Sequence, residues 1–176
     1  MKTIRTLAFV LALLLGMPRT GAAQDSEEAV MASLKGLHDI TQTNVLKTAE
    51  MISEDLYAYR PTVHVRTAGQ ILAHIANAQF LFCSSAAGDE NPNSQDYEET
   101  ATTKTEIVAA LKEGFDYCAG VYASMSDEEG AVMKDFFGNQ MAASAILAFN
   151  SAHNFEHYGN LVTYMRLNGI TPPSSM

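Results

Sequence analysis

The stretch Ala148-Phe149-Asn150-Ser151-Ala152-His153-Asn154-Phe155-Glu156-His157-Tyr158-Gly159 decides how this chain is read. Around it Ala143, Ile146, Leu147, Leu161, Tyr164 and Met165 recur at helical spacing. That period predicts one long helix with an inward stripe, on which Asn150, His153 and His157 also fall. A helix carries i and i+4 on one face, with Cβ atoms about 5–6 Å apart. His153 and His157 can therefore share one metal ion through bonds of roughly 2.1 Å. His74 interrupts a second apolar stripe, made by Ile71, Ile75, Ala78 and Phe82. Three histidines aimed into one core need a reason, because unpaired polar groups there cost free energy.

Working outward from this segment, four helices are expected. The first runs from about Ser26 to Ile52, with Val30, Leu34, Leu37, Val45 and Ile52 inward. Ser26 followed by Glu27 and Glu28 suits its positive end. Residues 53–66 read as a linker, extended at Arg60-Pro61. Thr67 and Gln70 form a capping box that opens the second helix, and Gly88 stops it after Ala87. The polar connection 88–102 is long enough for a crossover. Thr103 and Glu106 open the third helix, whose inner face carries Ile107, Leu111, Phe115, Cys118, Tyr122 and Met125. Residues 126–138 read as irregular, with one short helical turn. The fourth helix runs from about Asn139 to Leu167; Asn168-Gly169 ends it and Pro172-Pro173 prevents its resumption. No strand pattern or internal repeat is evident. The expected fold is all-α, a four-helix bundle forming a single domain over residues 24–176.

The N-terminus reads as an export signal. Lys2 and Arg5 precede the apolar run from Leu7 to Gly16, and Gly21-Ala22-Ala23 offers a cleavage site. The run is too short to span a bilayer. The expectation is an exported protein, periplasmic or secreted, with no membrane span in its mature form. Cleavage after Ala23 removes three cationic residues and no acidic one, taking the formal charge from −9 to −12. So acidic a surface argues against nucleic acid and anionic membranes as partners. Cys83 and Cys118 form a candidate disulfide, since an exported pair is more often bridged than free.

Other histidine chemistries fit less well. His153-Asn-Phe-Glu156-His157 matches the H-x-x-E-H string of inverted zinc proteases, which need a further acidic ligand downstream. None of the 19 residues after His157 is acidic. Paired Glu-x-x-His motifs for a di-iron site and Cys-x-x-Cys-His for haem are absent. His38 and His64 read as solvated or structural. Asn150 and Glu156 are the candidates for orienting a ligand or flanking the site.

Two groups of residues carry a family resemblance. One is Tyr57-Ala-Tyr59-Arg60-Pro61-Thr62 with Val65-Arg66-Thr67, leading into Leu72-Ala73-His74-Ile75-Ala76. The other is His153-x-x-x-His157-Tyr158-Gly159, followed by Leu161 to Ile170 and Pro172-Pro173. In order and spacing the chain resembles the DinB-like superfamily over nearly all of its expected mature length. The resemblance implies an up-down-down-up bundle with a long crossover between helices two and three. It also implies a divalent metal held by His74, His153 and His157. Family members include bacillithiol S-transferases and a mycothiol-dependent maleylpyruvate isomerase. Members are often dimers, so a homodimer is open.

Three neutral imidazoles leave a divalent ion its full charge and an open position, where water or a thiol is acidified. The expected function is a metal-dependent hydrolase or thiol S-transferase acting on a small molecule, with zinc or nickel bound. The alternative is a non-catalytic metal-binding or stress-related protein of the cell envelope.

Overall fold

A computed structural model describes residues 28–176. The expected export signal and the Ser26 cap lie outside the described residues. Four long helices dominate: α1 (Ala29–Met51), α3 (Ala68–Ala87), α5 (Lys104–Ser124) and α7 (Ala143–Leu167). Short elements fill the connections: α2 (Glu54–Tyr57), α4 (Tyr97–Thr100), α6 (Asp127–Gly130) and the hairpin β1 (Met133–Phe136) with β2 (Asn139–Ala142). A final 3-10 turn covers Pro173–Ser175.

The helix starts follow local chemistry. Thr67 and Thr103 each accept a hydrogen bond from the amide three residues on, and Gln70 and Glu106 reciprocate. These capping boxes satisfy amide donors that a helix start leaves orphaned. Gly88 closes α3 at φ 84°, a left-handed value that suits glycine.

Side-chain pairings give the topology. Along α3 and α5, Gly69 lies near Ile107, Gly114 near Ala76 and Gln79, and Cys83 opposite Cys118. Residue numbers rise together, so these neighbours are parallel and the 88–103 segment is a crossover. Along α3 and α7, Arg66 pairs with Tyr164, His74 with His153, and Phe82 with Phe149. There the numbers run oppositely, so that pair is antiparallel. The bundle is up-down-down-up, with α1 and α3 on one diagonal and α5 and α7 on the other.

Two apolar clusters fill the interior. One, around Leu72, Ile75, Leu111, Phe115, Leu161 and Met165, lies toward the α2 end. The other, around Phe82, Cys83, Cys118, Tyr122, Phe136 and Leu147, lies toward the hairpin. Cys83 and Cys118 are buried with Cα atoms 5.4 Å apart, within the span of a disulfide.

Four expectations need correction. Residues 133–142 form a hairpin, so the fourth helix begins at Ala143 rather than Asn139. The linker 53–66 holds the short helix α2 and the crossover holds α4. Val30 and Leu37 are exposed, 54% and 43% respectively, while Met31, His38, Thr41 and Thr48 face inward. His38 is wholly buried, which excludes the solvated reading and leaves the structural one.

Candidate metal centre

His74 sits midway along α3, and His153 and His157 stand one turn apart on α7. Antiparallel packing of the two helices brings the three rings together. His153 Nε2 lies 3.1 Å from His74 Nε2 and 3.0 Å from His157 Nε2. One ligand nitrogen from each residue falls within 4.8 Å of the others. Nitrogens bound tetrahedrally to one ion at roughly 2.1 Å stand about 3.4 Å apart. The three donors are therefore close to ligand spacing.

Protonation favours the same use. Burial, then the neighbouring His157 and His74, and then Arg66 push His153 down to about 3. Burial leads in lowering His157 and His74 as well, helped by His74 and by Arg66 respectively. At neutral pH all three imidazoles are uncharged, the form that ligates metal.

Glu98, on α4, supports His74. Its Oε2 lies 3.2 Å from His74 Nδ1, and its Oε1 accepts from Arg66 Nε at 2.7 Å. A carboxylate at that distance places the proton on Nδ1 and leaves the Nε2 lone pair aimed at the other rings. The Nδ1 atoms of His153 and His157 are buried without a hydrogen-bond partner among the described residues. At 3.0–3.1 Å either one Nε2–H donates to its neighbour or, with every proton on Nδ1, the three lone pairs repel and a divalent cation between them would remove the conflict. The donor set thus fits an ion, and this histidine group could bind one.

The flanking candidates sit differently. Glu156 is exposed and makes no hydrogen bond to the cluster. Asn150 is fully buried but turns away from His153; its Nδ2 donates to Gln79 Oε1 at 3.1 Å and lies 3.4 Å from Cys118 Sγ. Gln79 in turn donates to Asn154 Oδ1 at 2.7 Å, which ties α3 to α7 one residue from His153. His64 is exposed in the loop before α3. His38 packs against Tyr122 and Phe115 in the core, apart from the cluster. Glu98 is not legible as a site residue in the sequence, because it lies in what reads as a polar loop. The Asp96 cap that starts its short helix was the available signal.

Comparison with known proteins places the family and agrees with the fold. The family model of the DinB superfamily matches residues 37–161. The uncharacterized protein YjoA of Bacillus subtilis (strain 168) is 27% identical over 139 residues, covering 76% of this chain and 88% of that one. Its crystal structure, described as DinB-like, superposes with a TM-score of 0.64 at 22% identity, covering 79% of this chain and 93% of that one. A DinB-like protein from Bacillus cereus ATCC 10987 gives a TM-score of 0.71 at 19% identity, covering 81% and 95%. The mycothiol-dependent maleylpyruvate isomerase gives 0.59 at 14% identity, covering 74% of this chain and 60% of that one.

Proposed function

The chain belongs to the DinB superfamily, and from that premise we propose that it is an exported, divalent-metal-dependent hydrolase or thiol S-transferase acting on a small molecule. His74, His153 and His157 hold the ion, with zinc or nickel the favoured occupants. The observation that carries this reading is the convergence, within 4.8 Å, of one ligand nitrogen from each of three buried or half-buried imidazoles.

When bound by three neutral ligands, such an ion keeps its charge and an open position, and so acidifies a water or thiol. The chain's own residues do the rest. Glu98 keeps the His74 proton on Nδ1 and its ring in place. Arg66 anchors Glu98 by its short ion pair. The Gln79–Asn154 bond sets the depth of α7 against α3. Thiol transfer stands beside hydrolysis because a mycothiol-dependent enzyme shares this fold.

Export belongs to the same reading, on the N-terminal pattern and the facing cysteines. We place a disulfide between Cys83 and Cys118. Among the described residues no helix is long and apolar enough to cross a membrane.

Metal-loaded protein should be assayed on ester, amide and thiol-plus-electrophile panels beside His153→Ala. Turnover that disappears in the variant, with its helicity retained, supports the proposal. Full metal occupancy without turnover on any panel refutes it and leaves a metal-binding envelope protein.

A further inference from the structure

The histidine cluster has two unlike sides. On the His74 side lie Glu98 and Arg66, an ion pair. On the His153 side lies a run of phenylalanine rings. Phe82 is 5.3 Å from the His153 ring and 5.3 Å from Phe149, centroid to centroid. Phe149 stands one helical turn before His153 and so shares its face. Phe136 comes next, 6.3 Å from Phe149, and then Phe137, 4.3 Å from Phe136.

Phe82 and Phe136 are core residues at 4% exposure, whereas Phe149 is 47% and Phe137 71% exposed. The wall thus begins in the core with Phe82, the ring beside His153, and opens to solvent at Phe149 and Phe137. Phe137 carries a second cost. It holds φ 53° at the hairpin turn, next to Gly138 at φ 76°. Such turns favour Asn, Asp or Gly, and a bulky side chain there is an outlier. A large apolar ring both strained and exposed is poorly explained by stability.

We infer that Phe149 and Phe137, backed by Phe82 and Phe136, form an apolar subsite that receives the aryl or alkyl group of a small molecule whose metal-ligating head meets His74, His153 and His157. The inference rests on the proposed metal site and narrows its substrate class. The ligand is amphipathic, polar where it meets the imidazoles and apolar over about the breadth of an aromatic ring. The ring run is continuous with the cluster, which favours a small-molecule tail over a separate protein contact. The hairpin's role is then to extend the wall beyond α7.

The test titrates cobalt(II)-loaded protein with acetohydroxamate and with 4-phenylbenzohydroxamate, which share a metal-binding head. Cobalt content is measured first, and binding is followed by the visible absorption of the ion. The biphenyl probe should bind at least about tenfold tighter, as burial of an aryl group implies. Phe149→Ser and Phe137→Asn should shrink that ratio to within about threefold, at about one cobalt per chain. Phe137→Asn should also raise Tm, because Asn tolerates the left-handed turn. Equal affinities in the parent, or a ratio unchanged in both variants, would overturn the subsite while leaving the metal site standing. Failure to take up cobalt would remove both, and shows separately in the metal content. If instead the variants lower dimer content in sedimentation and leave the ratio unchanged, the face is a subunit contact and the inference is wrong.

Discussion

Glu98 Oε2 stands 3.2 Å from His74 Nδ1, and Arg66 holds the carboxylate there. Glu98→Gln keeps an oxygen near Nδ1 but removes the charge, and loss of such a partner typically weakens metal affinity 10–100-fold. Competition with a chelator reads this directly, and an unchanged affinity would remove Glu98 from the site. His74, His153 and His157 are legible in the sequence because helical periodicity exposes a polar residue on an apolar stripe. Glu98 is not, because it reaches His74 across a crossover whose path no local pattern encodes. His38 gives a second prediction at this scale. Burial lowers its pKa from 6.5 to about 4, and neither ring nitrogen has a hydrogen-bond partner among the described residues. Above pH 6.5 both folded and unfolded states hold it neutral, so its stability contribution is complete. Between 6.5 and about 4 the unfolded chain takes up a proton that the fold refuses, and stability falls with pH. The loss amounts to roughly 2–4 kcal/mol at the acid end. In urea unfolding at pH 7 and pH 5, His38→Leu should lose less stability between the two values than the parent. An equal loss would assign the acid sensitivity to other groups.

At the scale of the element, the capped helices were legible and the hairpin was not. Thr67–Gln70 and Thr103–Glu106 carry their signal within four residues. Each hairpin strand has only four residues, too few for alternation to stand out, and the turn places Phe137 where Asn or Gly is usual. The inner face of α1 misled for another reason. Its buried stripe includes His38, Thr41 and Thr48, so hydrophobicity finds Val45 and Ile52 but also points to the exposed Val30 and Leu37. Thr41 is tolerated inside because its hydroxyl donates to the His38 carbonyl at 2.9 Å. Close packing of α3 on α5 depends on Gly114. A Cβ there would stand 3.0 Å from the Ala76 carbonyl oxygen and 3.1 Å from Gln79 Cβ. Backbone cannot step aside as a flexible side chain can. Gly114→Ala should therefore cost about 1–3 kcal/mol by overpacking, despite alanine's better helix propensity. Denaturant unfolding checks this, and a stabilised variant would mean the parallel pair has slack.

For the whole molecule, the length of residues 88–102 allowed a crossover, and the resemblance to the DinB-like superfamily implied one. The cysteine pairing was open in the sequence, since two residues on different helices need not meet. The fold puts them 5.4 Å apart at Cα. A closed loop of this length contributes at most roughly 4 kcal/mol by constraining the unfolded chain. Protein expressed in an oxidising compartment and purified without reductant should gain about two mass units on reduction and lose stability by up to that amount. No mass change would mean two buried thiols. The central claim, however, is the ion. Elemental mass spectrometry on untagged protein, beside His153→Ala, tests it most directly. The account predicts about one divalent ion per chain in the parent and none in the variant. Parent protein that stays metal-free after reconstitution with zinc and nickel would contradict it.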